Sequence, residues 1–145
     1  MGFKLGLVGL FVSLGFGMFL EFLLFLDAPF YVNDSFLRHL WSLAHAHGTL
    51  AWLVYLVLVP QLDRLEMNSV LRRTGRACCG LGAVFLPLGF LLGALGHGVD
   101  RPSWPIVLVP LGGSLLGAAV LMPVVGARES QKNGNQSRPG SVSPS

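Results

Sequence analysis

The chain has 145 residues, 52% of them hydrophobic and only 12% charged, with a formal net charge of +3. Soluble domains carry roughly 25% charged residues, so this is a membrane composition, and the length argues for a single domain. The basic residues flank apolar segments without forming a continuous patch, which excludes nucleic acid as a partner and favours the lipid bilayer.

Leu5 to Leu26 is an apolar run of 22 residues whose one charge is Glu21. A bilayer is crossed by about 20 apolar residues. Lys4 gives the run the basic lead of a signal peptide, but a signal core has roughly 7–15 apolar residues, and no small-x-small cleavage site precedes Asp27. The run is therefore expected to persist as a helix. Within it Gly2, Gly6, Gly9, Ser13, Gly17 and Glu21 recur at steps of three or four. That spacing lays a small, weakly polar seam along one face and turns Glu21 toward neighbouring helices.

Asp27 to Ser35 reads as a loop with an N-cap at Asn33, Asp34 or Ser35. The second span is about 36–59, with Pro60 ending or kinking it and 61–67 continuing as a short helical stub. Asn68 and Ser69 form the next turn and cap. The third span, about 77–96, holds Pro87 and a second seam of Gly82, Gly89, Gly93 and Gly96. Trp104 sits at headgroup level before a fourth span of about 106–125, which contains Pro110, Gly113, Gly117 and Pro123. Residues 127–145, rich in Ser, Asn, Gly and Pro, read as a disordered tail. The predicted fold is all-α: a four-helix transmembrane bundle over residues 1–126 with short loops, whose glycine seams admit self-association or a larger membrane complex.

Four spans place Lys4, Arg64, Arg72, Arg73, Arg76, Arg128, Lys132 and Arg138 on one side and only Arg38 and Arg101 on the other. By the positive-inside rule both termini are cytoplasmic in a plasma or inner membrane. Glu21 then lies roughly 8 Å below the outer end of its helix, and His45 and His47 reach roughly 10–15 Å in from the same side. His39, His97 and Asp100 fall at the outer edge. All four histidines thus share the outer half of the bilayer with the one intramembrane carboxylate.

Polar groups at such depth need a partner or a purpose. Positions i and i+2 on a helix diverge by about 200°, so His45 and His47 do not grip one ion together. His45 shares the more polar face with Arg38, Ser42, Thr49 and Trp52 and is expected to partner Glu21. His47 belongs nearer a second helix, within reach of His97. Three readings stay open. In one, the cluster is polar glue that sets helix register. In another it is a cofactor site, with His45 and His47 as haem or transition-metal ligands, or with His45, His47, Glu21 and His97 around a metal. In the third it is an outward-facing proton or ion relay. Cys78 and Cys79 lie roughly 28 Å from His97 along a helix, at the cytoplasmic end, as reduced thiols or an acylation site. Nothing in the sequence argues for an enzyme: no Ser-His-Asp set, phosphate loop or paired catalytic carboxylates can be picked out.

The H-A-H of His45 to His47 resembles the H-x-H of haem-copper oxidase large subunits, whose two histidines serve different haems on opposite helix faces. The resemblance implies haem ligation by either histidine, but with four spans instead of twelve it does not imply oxidase activity. Over about half its length the chain also resembles a family of small bacterial four-span membrane proteins. That likeness rests on W-x-L-A-H-A-H-G-T at Trp41 to Thr49, L-P-L-G-F-x-L-G at Leu86 to Gly93, and L-V-P-L-G at Leu108 to Gly112. It implies the topology and no reaction.

Overall fold

A computed structural model describes residues 2–65, 67–98 and 101–136, with side chains as far as Gly126. It consists of helices α1 (Gly2–Phe25), α2 (Pro29–Val32), α3 (Ser35–Arg64), α4 (Ser69–Gly93) and α5 (Leu108–Gln136), with a 3-10 turn at Trp104–Val107 leading into α5. The segments Gly2–Phe25, Ser35–Arg64, Ser69–Gly93 and Trp104–Gly126 are each long and apolar enough to cross a membrane. In hydrocarbon every backbone N–H and C=O must be satisfied within the protein, so glycine-rich runs that would be poor helices in water are held helical here.

The helix ends follow local chemistry. The Asp34 carboxylate accepts from the Leu37 N–H at 2.8 Å and caps α3, and Asn68 accepts from the Val70 N–H at 3.0 Å and caps α4. The helical stub beyond Pro60 forms, and α3 passes through that proline to Arg64. Three boundaries differ from the sequence reading. The Asp27–Ser35 loop contains the helical turn α2, opened by Pro29 and anchored by Tyr31, whose side chain is 1% exposed. Helix α4 starts at Ser69, eight residues before the apolar run at 77, because the Asn68 cap starts a helix without regard to hydropathy. Helix α5 runs on to Gln136, so the first part of the segment read as a tail is helical and the rest lies outside the described residues.

Helix α1 packs on α3 and α2 and on no other described helix; α3 packs on α4, and α4 on α5, with slight contact between α3 and α5. The bundle is therefore open, its spans ranked in chain order with α3 and α4 inside. Because α1 and α4 do not meet, an apolar cleft of about 420 Å³ lies between them, floored by Ala44 and Gly48 of α3. Neighbouring spans run antiparallel, since Gly2 faces Val59 while Gly17 faces His45, and Gly75 faces Leu62 while Gly48 faces Pro87.

Lipid tails are as apolar as leucine, so close packing rather than water exclusion holds these helices together. Both glycine seams serve that end, except at Gly96, which lies past the end of α4 in a turn at φ +65° and meets nothing within 4 Å. On α1, Gly6 lies against Leu56, Gly9 against the Trp52 indole and Gly17 against the His45 ring. On α4 the approach is backbone to backbone: a Cβ on Gly82 would lie 2.8 Å from the Gly112 carbonyl oxygen, and one on Gly89 would lie 2.7 Å from the Val109 nitrogen. Gly113 and Gly117, on the outer side of α5, meet nothing within 4 Å.

Candidate functional site

The polar face of α3 turns toward α1. His45 donates from Nδ1 to the Ser13 carbonyl oxygen at 2.9 Å, the acceptor role of that oxygen requiring an Nδ1–H. Thr49 Oγ1 donates to the His45 carbonyl at 2.9 Å, and Ser13 Oγ shares its one proton between Thr49 Oγ1 at 3.1 Å and the same carbonyl at 3.3 Å. Ser13 and Thr49 thus close the α1–α3 interface below the His45 ring. No described residue hydrogen-bonds to the other ring nitrogen, Nε2.

Beyond this clamp, toward the end of the bundle that carries α2, α1 and α3 part to form a groove of about 740 Å³. Glu21, Arg38, His39, Ser42 and His45 bring polar groups to it, while Leu14, Met18, Leu20 and Leu24 give it an apolar wall. Under α2, Leu20, Leu23 and Tyr31 form a small core against Phe16, Leu37 and Trp41 that holds the outer ends of α1 and α3 together. Arg38 donates from Nη1 to the Val32 carbonyl at 2.8 Å, tying the rim of the groove to α2. Glu21 and His45 therefore line one groove, although no hydrogen bond joins them.

The four residues read as a metal set do not converge. His47 faces away from the groove, donating from Nδ1 to the Leu43 carbonyl at 3.0 Å, with its ring centroid 5.0 Å from that of Phe90 on α4. His97 is held by Asp34, not by His47: its Nε2 lies 2.8 Å from Asp34 Oδ2 and its Nδ1 lies 3.0 Å from the Gly98 carbonyl oxygen. Among the described residues no group of three or more His, Cys, Asp and Glu side chains is placed to hold a metal ion. The physical reason is the helix period, which sends His45 to α1 and His47 to α4, while the cap role of Asp34 draws His97 to the α2–α3 corner. Asp100 lies outside the described residues.

The Asp34–His97 pair was not foreseen, its members lying 63 positions apart in two loops. The ring spans a carboxylate on one nitrogen and a backbone carbonyl on the other. The Leu37 N–H, and after it the His97 ring, hold the Asp34 carboxyl below the ordinary carboxylate value. At the opposite end of the bundle Arg76 pairs with Asp63. There Cys79 is fully enclosed beside Tyr55, Val59 and Ala119, with Cys78 half-buried and both thiols free. No family model, curated protein or solved structure matches the chain.

Proposed function

We propose that this chain is a multi-pass integral membrane protein, of the small four-span kind its motifs resemble, whose activity resides in an outward-opening binding groove between α1 and α3. The observation that carries this reading is the His45 ring, fixed by its Nδ1–H bond to Ser13 with its Nε2 unbonded by any described residue, in a groove also lined by Glu21. The excess of lysine and arginine at the other end of the bundle supports cytoplasmic termini and an outward mouth. A continuous relay is the weaker reading. Below His45 come the Ser13–Thr49 clamp and then Gly9 packed on Trp52, and Tyr55, the next titratable side chain in that interface, lies beyond Trp52 against Gly6, about 15 Å from His45 along α3.

A single haem held by His45 Nε2 is a second reading. It is favoured by the same Nδ1–H bond, since a histidine ligand commonly donates its other ring N–H to a carbonyl. A haem supplies four nitrogens of its own and so needs only one or two protein ligands, whereas a bare ion would need the converging set that the described residues do not form. The apolar wall beside His45 suits a porphyrin face.

Thiol labelling tests the groove. In a Cys78→Ala, Cys79→Ala background, Ser42→Cys should react with a membrane-impermeant maleimide added outside, while Gly117→Cys on the lipid face of α5 should not. A Ser42→Cys that stays unlabelled from outside would remove the groove. A visible spectrum of the protein purified in mild detergent addresses the second reading, which a missing Soret band would eliminate.

A further inference from the structure

The groove carries opposite charges at different depths. Glu21 and Arg38 both line it, and among the described residues neither belongs to an ion pair, those present being Arg76 with Asp63 and His97 with Asp34. One Nη1 bond to Val32 holds the Arg38 head in place, and no other described group accepts from it. Gly17 is level with His45, so Glu21 lies about 6 Å outward of His45 along α1, and Arg38 about 10 Å outward along α3. From floor to mouth the order is the His45 ring with its unbonded Nε2, the carboxyl group of Glu21 and the guanidinium of Arg38.

A fixed sequence of two acceptors beneath a cation selects among ligands. An apolar guest would cover both charges without pairing either. A simple anion meets Glu21 and a simple cation meets Arg38. A molecule with an ammonium at one end and an anionic group at the other satisfies both, and a primary ammonium has three N–H donors to share between Glu21 and His45. We propose that the groove binds a small zwitterion of the phosphoethanolamine type, amine inward and anion outward, an inference that rests on the outward-opening groove proposed above. The same chemistry comes as a free solute or as a phospholipid headgroup. A headgroup in the outer leaflet carries its ammonium outside its phosphate and would have to fold back to reach Glu21, so the depth order favours the free solute.

The test is calorimetric titration of O-phosphoethanolamine into the full chain in phosphatidylglycerol nanodiscs. Saturable binding is expected, at least tenfold weaker for Glu21→Gln and Arg38→Gln and largely retained in Arg38→Lys. Phosphocholine, which has no N–H, and glycerol phosphate, which has no amine, should each bind at least tenfold more weakly. Repetition in phosphatidylethanolamine nanodiscs separates the sources: unchanged binding supports the free solute, and masked binding supports the headgroup. Absence of saturable binding in phosphatidylglycerol nanodiscs, or binding that survives both Glu21→Gln and Arg38→Gln, overturns the proposal. If Ser42→Cys is labelled from outside while phosphoethanolamine does not bind, the groove stands and the ligand class falls; if Ser42→Cys is unlabelled, both fall.

Discussion

The α4–α5 and α1–α3 contacts are both built on glycine, and they use it for opposite purposes. Between α4 and α5, Gly82, Gly89 and Gly112 bring backbone onto backbone. Between α1 and α3 the glycines seat large rings, Trp52 on Gly9 and His45 on Gly17, and the contact ends outward in a polar groove. A small-residue seam therefore specifies proximity, while the residue opposite it decides whether the contact becomes a weld or a site.

Substitutions can break this contrast, and the largest effect is expected at the weld. A Cβ on Gly112 would lie 2.5 Å from the Leu86 backbone nitrogen, so Gly112→Ala should cost about 1–3 kcal/mol, and Gly112→Leu should abolish folding in detergent. Gly117→Ala, on the open face of the same helix, should stay within about 0.5 kcal/mol of the parent. Thermal unfolding followed by circular dichroism distinguishes the two, and equal losses would contradict the packing.

At the polar interface the expected cost is smaller. His45→Leu removes the bond to Ser13, and Ser13→Ala removes the link to Thr49; each should lower stability by about 0.6–2 kcal/mol. An unchanged melting profile for His45→Leu would show that the Nδ1 bond contributes nothing.

The smallest effect is the pH dependence of the outer corner. Because the Asp34 carboxyl is held below its ordinary value of 3.8, its contribution is fully present above that value and is lost as pH falls through the lower folded value. Asp34→Asn should flatten the acid side of a melting-temperature profile. Profiles parallel to the parent would argue that the pair is idle.

Much of this was legible before any coordinates. The steps of three and four from Gly2 to Glu21 placed one seam on one face, and that face is the one α3 covers. The 200° separation of His45 and His47 foretold different neighbours. What the sequence could not convey was partnership across distance. Small residues at Gly89 and Gly93 announce a close approach without naming α5 as the helix that makes it, and nothing local ties Asp34 to His97. Hydropathy also hid the first turns of α4, where Arg72, Arg73 and Arg76 make a helix look like a loop. The open arrangement, with α1 touching neither α4 nor α5, follows from which faces were left large and apolar, such as Phe11 at 78% exposed and Met18 at 75%.

The His45 ring is where the account is most directly tested. Nitrogen-15 spectra of the labelled protein in nanodiscs at neutral pH, assigned by comparison with His45→Gln, report which ring nitrogen carries the proton. The structure predicts a proton on Nδ1, the atom that donates to the Ser13 carbonyl. A ring bare at Nδ1 and protonated only at Nε2 would contradict the bond that fixes His45 in the groove.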